Sequence, residues 1–387
     1  MPKEANKRLA GIFNQLAEAV ETGQYGEKVR IGITTLGSEH GVAEVVRGAE
    51  LAAKSYQDLE VVMIGPAVDS IVPVIYETDC EKTAHDKMEE LLQNGKISAC
   101  VTMHFNFPIG VSTVGRVLTP GRGKELIIAT STGTSATQRV SAMVKNALYG
   151  IITARALGIE KPTVGILNVD GARQVEKALK DLAAGGYPIN FAQSIRSDGG
   201  CVMRGNDLLT ASSDVMVTDT LTGNLLMKIF SAYTTGGSYE AQGFGYGPGV
   251  GEDYDQIINI ISRASGAPVI AGAIRYAADA ARGRITTLAR EEFKKARGAG
   301  LDEILAELGA ARQQGRKGEE ITAPPAKPVT EEISGIDIML LDDAVQSLWK
   351  EEIYAETGMG CSGPVVLVDP ADEADARQVL TENGYLN

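Results

Sequence analysis

The chain has 387 residues, 44% of them apolar and only 5% aromatic, which suits two or three compact units with cores of Ala, Val, Ile and Leu. Its 50 acidic and 37 basic side chains leave a formal charge of −13, which excludes a general nucleic-acid platform and disfavours an anionic membrane surface. No apolar run is long enough to span a bilayer, the four cysteines lack paired spacing, and the three histidines form no zinc pattern. The expectation is a cytoplasmic, metal-free protein with free thiols.

Leu9, Ile12, Phe13, Leu16 and Val20 recur at helical spacing and predict an amphipathic helix over residues 4–22. A buried strand is expected at 29–34, a helix at 42–56, and a strand at 59–64 stopped by Gly65 and Pro66. Next come a helix at 83–94 and strands at 97–103 and 125–129. A helix over 136–157 buries Val140, Met143, Val144, Ala147, Leu148 and Ile151. Strand 163–167, helix 173–184, strand 214–219 and helix 224–233 continue the alternation. Such alternation implies βαβ units and a mainly parallel sheet, so the fold class is α/β.

Residues 234–254 are dense in Gly and Tyr, with glycine at 243, 245, 247, 249 and 251, and read as a surface loop, a lid or a partner surface. A helix from Tyr254 and a strand at 268–271 should follow. Residues 312–329 hold Gln, Gly, charges and then Pro324, Pro325 and Pro328, the composition of an exposed linker. The chain thus divides into an N-terminal helix (1–27), a core (28–311), the linker (312–329) and a small C-terminal unit (330–387). That unit should contain a helix at 337–352, a Gly-rich turn, a strand at 365–368 and a helix at 371–383. No internal repeat of solenoid period occurs.

Four segments are able to carry chemistry. Gly358-Met359-Gly360-Cys361-Ser362-Gly363-Pro364 formally fits GxGxxG, but a dinucleotide site needs a strand before it and a helix after it. What remains is a thiol flanked by glycines: either a small residue in a tight turn, or a nucleophile with exposed N–H groups beside it. Arg204-Gly205-Asn206-Asp207 leads to a strand ending at Asp219 and then to Thr222, Gly223, Asn224 and Lys228. Such a junction caps a helix, or lends the same donors to a phosphate at the carboxyl edge of the sheet. Thr130-Ser131-Thr132-Gly133-Thr134-Ser135, with Arg139 one turn on, reads as a hydroxyl-rich strand-to-helix turn that caps a helix or meets phosphate. His104, near Cys100, is a core histidine or a base. Residues 110–117 fail as a P-loop because Arg116 and Val117 stand where Lys and Ser or Thr are needed. No role is assigned to Cys80 or Cys201.

The run RGNDLL…SDVMVTDTLTGNLLMK (204–228) resembles the signature of phosphate acyltransferases, which turn acyl-carrier thioesters into acyl phosphates. IGITTLGSEHGVAEVVRGAELAAK and ATSTGTSATQRVSAMVKNALYG extend the likeness over about residues 28–290. The resemblance implies a fold similar to isocitrate dehydrogenases, a cleft site and self-association as a dimer. The ending EEIYAETGMGCSGPVVLVDP (351–370) on such a core resembles component C alpha subunits of glycine, sarcosine and betaine reductases.

That second resemblance implies that Cys361 carries an acetyl group which inorganic phosphate removes as acetyl phosphate, with no organic cofactor. Cys100 resembles the family's other cysteine, a possible secondary thiol. Asp219, Thr222, Gly223, Asn224, Lys228, Ser131, Thr132 and Thr134 would bind phosphate or substrate. The implied partners are the beta subunit of component C, which resembles condensing enzymes, and the selenoprotein component A. The linker would let the tail swing between that subunit and the core. The alternatives are a phosphate acyltransferase acting on carrier or coenzyme A thioesters, a nicotinamide-dependent decarboxylating dehydrogenase, and a non-catalytic scaffold. The dehydrogenase would need a metal site for which Asp253 and Asp255 are too few.

Overall fold

The computed structural model describes residues 28–197, 199–315, 323–336, 340–360 and 363–386, together with Phe13, Leu16, Ala17 and Val20. The chain divides into two compact units, residues 1–305 and 306–387. The helix expected over 4–22 lies for the most part outside the described residues.

The first unit opens with β1 (Val29–Thr34), α1 (Val42–Ser55), β2 (Leu59–Gly65), β3 (Val74–Glu77), α2 (Glu81–Gln93) and β4 (Ala99–Thr102). A long hairpin of β5 (Val111–Leu118) and β6 (Glu125–Thr134) follows, then α3 (Arg139–Ala156), β7 (Thr163–Leu167) and α4 (Ala172–Ala184). Short strands β8 (Asn190–Phe191) and β9 (Val202–Met203) lead to α5 (Gly205–Thr210), β10 (Val215–Val217) and α6 (Thr220–Ala232). The unit continues with β11 (Gly247–Val250), β12 (Ile258–Ile260), α7 (Ala267–Arg282) and α8 (Ile285–Gly298), and the boundary at residue 305 falls within α9 (Leu301–Gly315).

All these strands join one sheet in the order β3-β2-β1-β4-β12-β11-β5-β6-β10-β7-β8, with β9 also on β7. It is made of two parallel wings. β3, β2, β1, β4 and β12 form one, and β6, β10, β7, β8 and β9 the other. Between them β11 and β5 make three antiparallel pairings, so the wings run in opposite directions. Helices α2 and α6 add Ala84, Met88, Met227 and Phe230 to a core shared with Val62, Ile64, Ile128 and Ile258. A sheet covered by helices explains why β2 and β4 read as unbroken apolar runs.

The α/β reading holds, and the centre of the sheet corrects it. The glycine-rich run is neither surface loop nor lid, because residues 245–251 are buried and contain β11, wedged between β12 and β5. Glycine is required here: Gly247 has φ +86°, and a Cβ on it would sit 1.8 Å from the Val114 carbonyl oxygen. Nor does a helix start at Tyr254; the chain there runs without helix into β12. Residues 268–271, expected as a strand, lie in α7, where Pro268 at the first turn suits a helix start. The linker expected at 312–329 begins later, since α9 continues to Gly315.

The second unit has a three-stranded antiparallel sheet, β13 (Glu331–Ser334), β15 (Gly363–Val368) and β14 (Ala355–Gly360) in that order, with α10 (Leu341–Lys350) and α11 (Glu373–Glu382). Ile333, Leu341, Leu348, Val366, Val368 and Leu380 form its core, each contributing about 2 kcal/mol on burial. The stretch expected as a Gly-rich turn is largely β14, paired along its length so that Gly360 faces Gly363.

Candidate functional site

α6 begins at Asp219, whose carboxylate accepts hydrogen bonds from the Thr222 N–H (3.1 Å) and the Thr222 hydroxyl (2.6 Å) and pairs with Arg139 at 3.1 Å. The Gly223 N–H donates to the Asp219 carbonyl, and the Asn224 amide donates to the Ser131 carbonyl at 3.1 Å. A Cβ on Gly223 would lie 1.8 Å from the Thr130 carbonyl oxygen, so only glycine lets the helix rest on β6 this closely. The start of α6 is therefore a mooring. Its Thr222 and Gly223 N–H groups are engaged, and the Asp219 carboxylate lies over the helix start, where a phosphate would sit.

Thr130 to Thr134 do not turn towards a helix. They prolong β6: Thr132–Thr134 pair with Val111–Thr113, and Thr130 and Ser131 lie at the register shift between Thr113 and Val114. The Ser131 hydroxyl is buried and donates to the Tyr246 carbonyl at 2.8 Å. Thr132 is half-buried, and Thr134 is exposed opposite Val111, several residues along the hairpin from the Tyr246 junction. The structure thus brings Ser131, Asn224 and Thr222 together and leaves Thr134 apart.

Lys228 goes elsewhere. Its Nζ lies 3.0 Å from the Ser262 hydroxyl, 3.4 Å from the buried Glu240 and 5.8 Å from the centre of the Tyr246 ring. Ser262 follows the carboxyl end of β12, so α6 carries this cation to the carboxyl edge of the first wing. Beside it Ile229, Tyr233, Tyr239 and Ala264 line a hollow of about 370 Å³.

That edge holds a second polar cluster. The chain leaves β1 for β2 on one side and later returns to β4 on the other, so β1 and β4 flank a topological switch point. There the Thr34 hydroxyl donates to Thr102 Oγ1 at 2.8 Å, and His85 Nε2 lies 3.1 Å from the same oxygen. Burial holds the His85 imidazole below its usual pKa, with the nearby His104 adding to the effect and Glu81, Glu89 and Asp86 opposing it. α1 starts at the same edge with Gly41 as its N-cap and no side-chain cap. The Glu39 N–H donates to the Arg263 carbonyl, tying the loop after β1 to the loop after β12.

The thiols are placed very differently from one another. Cys100, the expected secondary thiol, is fully buried in β4, and burial pushes its pKa far up. It has neither the charge nor the access that a nucleophile needs. Cys201 is buried, its thiol pushed up to about 11 by burial and by Glu176. Cys80 is exposed at the start of α2, where hydrogen bonding with Thr83 holds its thiol below the usual range. Cys361, between β14 and β15 in the chain, lies outside the described residues, as does Ser362. No group of three or more metal-ligating side chains occurs among the described residues.

Known proteins then place the chain. Over 381 residues it is 59% identical to the glycine/sarcosine/betaine reductase complex component C subunit alpha of Peptoclostridium acidaminophilum, covering 98% of this chain and 99% of that one. The chain belongs to the family of component C alpha subunits. A more distant kinship accompanies this one, for residues 29–367 match the family described as fatty acid synthesis protein. The phosphate acyltransferase of Bacillus cytotoxicus is 26% identical over 244 residues, 52% of this chain and 70% of that relative. A 4-hydroxythreonine-4-phosphate dehydrogenase from Burkholderia phymatum shares 17% identity over 71% of this chain and 99% of its own, at a TM-score of 0.35 that carries no argument.

In this member of the family the sequence points to Lys228 but passes over His85, which resembles any polar residue on an amphipathic helix. The signal for it was indirect. All three histidines of the chain, His40, His85 and His104, fall near the carboxyl ends of the first strands, but only the strand order shows that these ends share an edge.

Proposed function

We propose that the chain is the acetyl-phosphate-forming subunit of a glycine, sarcosine or betaine reductase complex, working by phosphorolysis of an acetyl thioester on Cys361. One observation carries this reading: identity of 59% runs from end to end with a component C alpha subunit, the thiol-bearing C-terminal unit included. The kinship with phosphate acyltransferases supports the same chemistry, and the core is read as their form of the isocitrate dehydrogenase fold. The beta subunit of component C and the selenoprotein component A are the proposed partners. Self-association and a cytoplasmic setting belong to the same reading, as does a reaction without organic cofactor.

In the reaction an oxygen of monohydrogen phosphate attacks the acetyl carbonyl, the carbon–sulfur bond breaks, and acetyl phosphate leaves as Cys361 regains a proton. Covalent attachment divides the transfer into two easier steps. Lys228 at the first wing's edge supplies positive charge for the phosphate. Asp219, Thr222, Gly223, Asn224 and Ser131 fix α6 so that Lys228 is held at that edge. Thr132 and Thr134 remain on the other side of the mooring, where a contact with substrate would need a different approach.

The test is arsenate-dependent hydrolysis of acetyl phosphate by the full chain and by Cys361→Ala. Arsenate replaces phosphate in the reverse direction, so turnover reports acetyl transfer. Loss of at least about 10³-fold in the variant is expected for a missing nucleophile. Full activity in Cys361→Ala would instead support a phosphate acyltransferase acting on soluble thioesters. Inactivity of both, even with the beta subunit added, would leave a scaffold.

A further inference from the structure

We propose that the outer face of α6 is a two-fold interface between copies of this chain, and that the second copy closes the hollow beside Lys228. The inference gives a place to the self-association in the reading above and rests on that part of it alone.

A surface helix ordinarily turns polar side chains outward. On α6 Leu221, Leu225, Ile229 and Tyr233 are all exposed instead, Leu221 at 72%. Side chains four apart share one face, so they make a continuous apolar stripe along the helix's 13 residues. The opposite face is already used: Gly223 rests on the Thr130 carbonyl, and Met227 packs over Gly115. Exposed apolar residues scattered singly need no explanation, whereas a contiguous strip marks a contact surface.

Charge selects the occupant. Two chains of net charge −13 repel each other except where the facing surfaces carry no acidic groups. α6 has no acidic side chain, and its one cation, Lys228, faces the buried Glu240 at 3.4 Å. A basic partner, which so acidic a chain would otherwise attract, finds no carboxylate on this stripe.

The stripe is also its own complement. A two-fold axis across its midpoint sets each copy's Leu225 against the partner's Ile229, and its Leu221 against the partner's Tyr233. Knob and socket are both present on one copy. Leu221, the most exposed of the four, stands at the amino end. The hollow of about 370 Å³ adjoins the carboxyl end, lined by Ile229, Tyr233, Tyr239 and Ala264. The twelve residues from 221 to 233 span about 18 Å of helix. Antiparallel pairing therefore carries each Leu221 to the other copy's hollow. Lys228 and Glu240 line the same hollow, so filling it removes water from one side of their ion pair.

Sedimentation equilibrium of the full chain tests this. The parent should form a dimer that dissociates on dilution. Leu225→Glu places a carboxylate against apolar side chains at two symmetric points. Association should weaken by at least about 10³-fold, about thirtyfold for each point, with the parent's circular dichroism kept because Leu225 is exposed. Adding Ile229→Lys should restore the dimer, since the two-fold sets position 225 of one copy against position 229 of the other. A monomeric parent, or a Leu225→Glu variant as dimeric as the parent, would overturn the interface. A double variant that stays monomeric would overturn the antiparallel pairing. If the parent is monomeric alone and only Leu225→Glu fails to bind the beta subunit, the face belongs to that subunit and the proposal falls. Mass is read and not turnover, so a failed interface leaves the Cys361 chemistry untouched, and absent arsenolysis leaves the interface standing.

Discussion

Two hydroxyl-rich junctions lie on one sheet, and they differ in who takes their hydrogen bonds. At the start of α6 the donors are closed on the protein itself by Asp219, the Asp219 carbonyl and the Ser131 carbonyl. At the switch point, Thr34 and Thr102 share a hydrogen bond beside His85, and α1 starts without a side-chain cap. Residue types alone make the first look like the better phosphate cradle. Partner by partner, the first holds the fold together and the second leaves its helix start open.

The contrast can be broken most forcefully at Gly223. Gly223→Ala drives a methyl into the Thr130 carbonyl and should cost more than about 4 kcal/mol, seen as loss of the cooperative thermal transition. A variant melting within a few degrees of the parent would show that α6 is not moored as described.

Asp207 comes next. It is fully buried and accepts from the Arg204 N–H, the Ile195 N–H and the Ser194 hydroxyl. Burial works to raise its pKa, but these hydrogen bonds keep it below the ordinary carboxylate value. Its stabilisation is therefore complete above about pH 4, the unfolded value, and is lost as pH falls through the lower folded value. Asp207→Ala should cost about 3 kcal/mol in urea unfolding at pH 7, because three donors lose their acceptor. Acid unfolding that is equally steep in parent and variant would contradict the assignment.

Asp219→Ala should cost about 1–2 kcal/mol as a lost helix cap, measured by the same unfolding. It also sharpens the comparison: the vacated Thr222 N–H and hydroxyl should then bind phosphate weakly, which calorimetry would detect in the variant and not in the parent. The smallest effect belongs to the open edge. Thr34→Val should cost about 1 kcal/mol of stability, the value of one net hydrogen bond.

Much of the fold was legible in the chain. Short apolar runs located β1, β2 and β7, and period-3.6 patterns located α1, α2 and α4, because each buries its apolar residues. The antiparallel centre was not legible. Gly247, Gly249 and Gly251 carry no apolar side chains to betray burial, and their strand is set by the close approach of Val114 and Phe107. β14 escaped for the same reason, its Gly358 and Gly360 disguising a paired strand as a turn. For the candidate site, the signature marks Lys228, whereas the capping role of Asp219 does not show in sequence because a cap and a phosphate cradle use one vocabulary of residues. Cys100 lies in the apolar run of β4, whose pattern already marks it as buried.

The strand order also sets a timetable for synthesis. β4 and β5 lie close together in the chain, yet two strands from residues 247–260 must be inserted between them. A ribosome that has released only the first 240 residues therefore presents two half-built sheets with bare inner edges, β4 on one and β5 on the other. Such edges invite pairing with other nascent chains, and their closure waits on distant contacts that form slowly. The glycine strand at the centre is thus the seam that ends this exposed interval, and slowing its arrival would be a route to misassembly with the native sequence unchanged.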